Sequence, residues 1–205
     1  MLNLRREDGV ALIVALMAIV LLTALGVALT LATSLETMIA GNARETQEAF
    51  YAADAGMARA MDDLSGTADW NAVLGGAAQS SFVDGPPSGL RVLADGSTID
   101  FAQVVNLVNC RKTTPCSGAE MDRVTADRPW GANNPRWQPY AYGNLRDLLP
   151  SGAIDSAYYV YVMVADDAAE RDNDPLRDGA DPGNPGAGVL ALRAEAFGPR
   201  GARRT

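Results

Sequence analysis

From Gly9 to Leu35 no residue carries a charge, and Val10 to Ala32 is almost wholly Ala, Leu, Ile, Val and Met. A helix rises about 1.5 Å per residue, so about 20 apolar residues span a hydrocarbon core of about 30 Å. The stretch is long enough to cross a bilayer. A cleaved export signal has a shorter apolar region, about 7–15 residues, followed by a small-x-small site. Here the run passes through Thr30, Thr33 and Ser34 into Glu36-Thr37-Met38-Ile39 with no breaker.

After Met1 the first proline is Pro86, so nothing earlier forbids one continuous helix, although Gly26, Gly41 and Gly56 each weaken it. Beyond Glu36 the pattern becomes one-sided. Phe50, Ala53, Met57, Ala60, Met61 and Leu64 recur at three- and four-residue steps, with Arg44, Glu45, Glu48, Arg59, Asp62 and Asp63 mostly between them. This predicts a helix from about Val10 to Leu64, stopped at Ser65-Gly66, where a glycine accepts the left-handed conformation common at helix ends. Arg5 and Arg6 precede the apolar run and keep the N-terminus cytoplasmic, though Glu7 and Asp8 dilute their charge. The rest of the chain then lies outside. A single-pass anchor followed by a soluble helix is the plainer reading.

Composition excludes several functions. The chain of 205 residues is 48% hydrophobic and 20% charged, as in a folded protein with one modest domain. It has no histidine, which removes the commonest general base, the usual Ser and Cys triads and most zinc sites. The net charge is -8 and the single lysine is Lys112, which argues against a nucleic-acid backbone as partner. No Walker lysine motif, dinucleotide loop or Gly-x-Ser-x-Gly elbow occurs. Cys110 and Cys116 sit in a stretch of polar and turn-forming residues. If the domain is exported they form a disulfide closing a small loop; in the cytosol they stay as thiols.

At the N-terminus, Arg5-Arg6-Glu7-Asp8-Gly9 followed by Val10-Ala11-Leu12-Ile13-Val14 resembles the class III signal of type IV pilins. The resemblance implies cleavage by prepilin peptidase after Gly9 and methylation of Val10. Met38-Ile39-Ala40-Gly41-Asn42-Ala43-Arg44 and Ala49-Phe50-Tyr51-Ala52-Ala53-Asp54-Ala55-Gly56 are similar to signatures of the PilX family of minor pilins. The likeness covers residues 1–64. It implies a leader at 1–9, a membrane or filament-core helix half at 10–35, an amphipathic half at 36–65 and a periplasmic globular domain at 66–205. The fold it implies is the α+β pilin fold, in which the long helix packs on a small antiparallel sheet. Major pilins carry a glutamate where this chain has Val14. A buried carboxylate without its partner is costly, so valine suits a subunit that meets no neighbour's amino terminus. PilX-type minor pilins and the K-type pseudopilins of type II secretion share this loss. Val10 stands where major pilins have phenylalanine or methionine, and Asp8 where they have a basic residue.

After Gly66 the pattern shifts to short apolar runs between turn signals. Gly85 to Gly89 is a turn, and Leu90–Ala94 and Ile99–Val108 are strand candidates. Ala157–Ala165 is β-branched and aromatic without polar alternation, as expected of a strand covered on both faces. Val189–Phe197 alternates, with Leu190, Leu192, Ala194 and Ala196 on one side, and should pair with it antiparallel. Trp70, Trp130 and Trp137 read as packing residues, and Pro129 to Tyr142 as an irregular ordered loop. Gly198 to Thr205 looks like a turn toward a strand that does not follow: the sheet ends there, a partner supplies the edge, or the chain is cut short.

Between the two long strands, Asp166, Asp167, Glu170, Asp172, Asp174, Asp178 and Asp181 face only Arg171 and Arg177. Asp167, Asp172, Asp174 and Asp178 are the candidate calcium ligands, with Asn173 and Asn184 nearby. The EF-hand pattern fails because Arg177 stands where its glycine belongs. A solvated acidic loop is the favoured reading. The resemblance places this loop at the variable end of the pilin sheet, where partners bind.

The expected function is a non-catalytic minor pilin at the tip of a type IV pilus. The expected partners are other minor pilins, the major pilin, a PilY-type tip adhesin, prepilin peptidase and the inner-membrane assembly platform. A type II pseudopilin is the nearest competitor. Pseudopilins lacking the same glutamate resemble larger proteins with a helical insertion, so the short span from Leu64 to Ala157 favours the pilus. A membrane-anchored periplasmic enzyme or receptor is the third reading.

Overall fold

The computed structural model describes residues 8–126, 133–149, 154–179 and 186–205. Helix α1 runs Asp8–Ser65 as one element. It is followed by α2 (Trp70–Leu74), β1 (Leu90–Val92), β2 (Thr98–Asp100), α3 (Phe101–Cys110), α4 (Gly118–Ala126), β3 (Gln138–Asn144), β4 (Tyr159–Asp166), β5 (Leu190–Phe197) and β6 (Arg203–Arg204). The architecture is α+β and pilin-like: a long N-terminal helix followed by small antiparallel sheets. The chain divides into two units between Arg44 and Glu45, so α1 contributes to both.

The first unit is helix alone. From Val10 to Ile39 every large apolar side chain is more than half exposed. The helix is long and apolar enough to cross a membrane. Its threonines hide their hydroxyls within it: Thr23 donates to the carbonyl of Ile19, Thr30 to Gly26, Thr33 to Leu29 and Thr37 to Thr33, at 2.8–3.0 Å. A hydroxyl satisfied by its own helix needs no water, which suits an apolar surrounding.

The second unit is built on β4, whose eight residues are all buried. β4 pairs antiparallel with β3 on one side and β5 on the other, giving the order β3-β4-β5-β6. One face packs on the 45–65 part of α1 through Val160, Val162, Val164, Ala194 and Ala196. The other packs on α3 through Tyr142, Tyr159, Tyr161, Met163 and Phe197, around Phe101 and Val104. Covering both faces removes the polar alternation, as the composition of β4 predicted.

The buried side of α1 differs from the predicted stripe. Ala49, Ala52, Ala53, Ala60 and Leu64 are buried, while Phe50, Tyr51 and Met61 are more than half exposed. Small residues let the helix lie close to the sheet. The closest approach is at Gly56, where an added Cβ would collide with the side chain of Val160. Helix α1 does stop at Ser65, but Gly66 is not left-handed. The end is closed instead by tight bonds from Gly66 N to Asp63 O (3.3 Å) and Thr67 N to Leu64 O (3.0 Å).

Three further expectations are corrected. Ile99–Val108 is not a strand: only Thr98–Asp100 pairs, with β1, and a helix follows. The Asp100 carboxylate caps that helix by accepting from Ala102 N. Phe101, Val104, Val105 and Val108 then fall at three- and four-residue steps toward the sheet, and tertiary packing outweighs valine's strand preference. The stretch ending at Tyr142 holds strand β3. The β3–β4 register slips between Pro139 and Ala141, so Tyr140 and Ala141 both face the α1 side. Proline lacks an amide to donate, and a bulge is where a strand tolerates it. Residues 127–132, including Trp130, lie outside the described residues. Finally, the chain after Gly198 does turn into a strand, the two-residue β6.

Candidate functional site

Among the described residues no constellation of catalytic side chains is formed, and the features able to act are surfaces. On the first unit, Gly9, Val10 and Val14 belong to α1, and Val10 and Val14 are 61% and 59% exposed. A valine there leaves the helix surface neutral. The leader residues Arg5, Arg6 and Glu7 lie outside the described residues.

On the second unit, Cys110 and Cys116 are joined by a disulfide, with their Cα atoms 6.2 Å apart. The bridge closes the chain between α3 and α4. Ser117 and Glu120 form a capping box at the start of α4: Glu120 Oε2 accepts from Ser117 N at 2.8 Å, and Glu120 N donates to Ser117 Oγ at 3.3 Å. The single lysine, Lys112, donates to Glu120 Oε1 at 2.6 Å. Bonds from Lys112 and Ser117 hold the Glu120 carboxyl down at about 2. Beside this loop, Asn109 acts as a surrogate backbone: its side-chain amide donates to Trp137 O (3.1 Å), and its carbonyl accepts from Trp137 N (2.8 Å). Trp137 packs on the α3 side of the core, and Trp70 donates to Leu64 O, so both act in packing.

The acidic loop is arranged differently from its sequence pattern. Of the candidates Asp167, Asp172, Asp174 and Asp178, only Asp172 joins a carboxylate cluster, with Asp166 and Glu170; their oxygens lie within 4.8 Å of one another. The carboxylates of the others accept backbone amides, Asp167 from Ala169, Asp174 from Leu176 and Asp178 from Gly188. Asp172 also accepts from Asp174 N at 2.8 Å. The bonds at Asp167, Asp172 and Asp174 close local turns, and that of Asp178 ties residues ten apart. Asp166 and Glu170 are 3% and 1% exposed, and Glu170 Oε1 accepts from Gly179 N at 2.6 Å. Burial, then the bond to Glu170 and its charge, push the Asp166 carboxyl up to about 8. The sequence missed Asp166 and Glu170 as the buried pair because nothing local distinguishes them from their exposed neighbours. Asp181 and Asn184 lie outside the described residues.

The two edges of the sheet also differ. Along β3, residues 80–84 run parallel, with bonds from Ser80 N to Tyr140 O, Tyr142 N to Phe82 O and Asp84 N to Tyr142 O, each 2.9 Å. Asp63 of α1 holds that segment: its carboxylate accepts from the Ser80 hydroxyl and from Ser81 N, and pairs with Arg59 at 3.1 Å. Burial raises the Asp63 carboxyl, but the bonds from Ser80 and Arg59, the Arg59 charge and the Ser81 amide together hold it below its ordinary range. Along β5, only Ala196 and Phe197 meet β6.

A long apolar helix that continues onto an antiparallel sheet, with a bridged loop at the sheet's flank, defines the class of pilin-like subunits. Within it, residues 8–58 match the family model described as PilX N-terminal, so about a quarter of the chain carries that domain, consistent with a PilX-family type IV pilin. No curated protein and no solved structure matches the chain.

Proposed function

We propose that this chain is a minor subunit at the tip of a type IV pilus, where it primes assembly, presents a PilY-type adhesin and catalyses nothing. The observation that carries the reading is Val14, an apolar residue within the uncharged 9–35 stretch of α1, a helix whose residues 8–58 match the PilX N-terminal family model. A subunit added beneath a neighbour would need a carboxylate to meet that neighbour's amino terminus inside an apolar bundle; the first subunit has none to meet. In this reading prepilin peptidase removes residues 1–9 and Val10 is methylated. The chain waits in the inner membrane with its N-terminus cytoplasmic and its globular unit periplasmic. It then enters the filament with other minor pilins above the major pilin, drawn by the assembly platform. Intact-mass analysis of sheared pili should find a chain beginning at N-methylated Val10, far scarcer than the major subunit and immunogold-labelled at filament ends. Full-length chain confined to the inner membrane, or label along the shaft, would overturn the proposal.

A further inference from the structure

β5 is bonded to β4 along its whole length, from Leu190 opposite Asp166 to Phe197 opposite Tyr159. Its other edge meets β6 only at Ala196 and Phe197. No strand among the described residues runs along Leu190 to Ala194. Gly198 N donates to Ala202 O at 2.7 Å, so the backbone of Gly198 points to the β6 side. Because backbone groups alternate along an antiparallel strand, those of Ala196, Ala194, Leu192 and Leu190 point the same way. The edge therefore offers three outward-facing residues in register with β6.

The charge around this edge is opposite to that of the molecule. Leu190 to Thr205 holds Arg193, Arg200, Arg203 and Arg204 against the single Glu195, in a chain of net charge -8, and of these Arg200 is ion-paired with Glu45. Glu195 is wholly buried and accepts from both Arg193 (3.1 Å) and Arg203 (2.5 Å), whose side chains remain 36% and 45% exposed. Two guanidinium groups on one carboxylate leave positive charge facing solvent. Arg204, opposite Ala196, is exposed on the other face of the sheet.

We infer that the β5 edge from Leu190 to Ala194 is a docking site for an extended, acidic segment of a protein partner, which adds a strand to the sheet. The backbone supplies the hydrogen bonds, and Arg193 and Arg203, which share the Glu195 face of the sheet, select acidic side chains at alternate positions of the guest. A second copy of this chain presents the same arginine-rich edge and is disfavoured by like charge. The edge is separate from the α1 surface on which the pilus reading rests, so either can fail without the other.

The test uses the full chain in detergent micelles and a labelled peptide of about eight residues alternating valine with glutamate. Amide hydrogen exchange should show Leu190, Leu192 and Ala194 gaining protection with the peptide, while Ala191 and Arg193, which face β4, do not change. A valine-lysine peptide should bind about tenfold more weakly, since several cross-strand charge pairs reverse sign. A valine-glutamate peptide N-methylated at alternate amides should lose binding. Arg193→Gln, which keeps a donor for Glu195, should weaken the acidic peptide, whereas Arg204→Gln, on the other face of the sheet, should leave its binding unchanged. Absence of protection at millimolar peptide, or equal binding by the lysine or methylated peptide, would overturn the inference and leave the arginines as guards of a closed edge.

Discussion

Three glycines in α1 sit in two different worlds. A Cβ added at Gly26 or Gly41, in the first unit, meets nothing within 4 Å, whereas at Gly56 it strikes Val160. The same residue type is a mild helix weakness in one stretch and the condition for packing in the other. Up to Arg44 the helix is shaped by its own hydrogen bonds and apolar surface; from Glu45 it is shaped by the sheet. An uninterrupted helix therefore joins a part selected for its surroundings to a part selected for its fit.

The strongest way to break this contrast is to fill Gly56. Gly56→Leu should prevent the second unit from folding, read as loss of a cooperative urea transition. Gly56→Ala should still cost about 1–3 kcal/mol through overpacking, less the roughly 1 kcal/mol that alanine gains in a helix. If it melts like the parent, α1 and β4 are not in close contact. Next in size, Cys110→Ser with Cys116→Ser should lower stability by about 2 kcal/mol, the chain-entropy value for so short a loop, and make the melt insensitive to reductant. Asp63→Asn should cost about 1–2 kcal/mol at neutral pH by loosening residues 80–84. Because the folded pKa of Asp63 lies below its ordinary 3.8, that stabilisation is present above the ordinary value and is lost as pH falls through it toward the folded value. The parent and the Asp63→Asn variant should therefore converge in acid; a difference that persists at the lowest pH would assign the effect to packing. Gly41→Ala should stabilise α1 by less than about 1 kcal/mol, and helicity in micelles should rise or stay level. Smallest of all, calcium should give no heat and no shift in melting temperature, since the carboxylates of Asp167 and Asp174 already close turns and that of Asp178 already accepts from Gly188 N. A shift abolished by Asp172→Asn would place an ion at the Asp166, Glu170 and Asp172 cluster instead.

The elements legible in the sequence were those whose pattern owes little to distant partners. The uncharged run of α1, the β-branched run of β4 and the alternation of β5 each follow from burial on known sides. Of the stripe on α1, Ala53, Ala60 and Leu64 are buried and Met57 packs beside them, whereas Phe50 and Met61 point outward because the close approach at Gly56 favours small residues there. α3 was misread because three valines outvoted Asp100, whose capping role depends on a turn formed by β2. β3 was hidden by Pro139, tolerated only through a bulge that its partner strand accommodates. Of the candidate site residues, Gly9, Val10 and Val14 stand out in the sequence as a motif. The open edge of β5 was visible only as an unfinished ending, and its outward-facing residues required the register with β6.

Residues 80–84 lie against one flank of the four-stranded sheet, and the prolines that follow at 86 and 87 have no amide to offer. Growth of the sheet by one neighbour after another needs two free flanks, one to give and one to receive. Among the described residues, the side of the four-stranded sheet left without a long neighbour is that of β5. If the β5 edge takes a guest strand, a meeting of two copies at β5 closes into a pair rather than running on as a fibre. The number of guests per chain would then be set by the sheet itself.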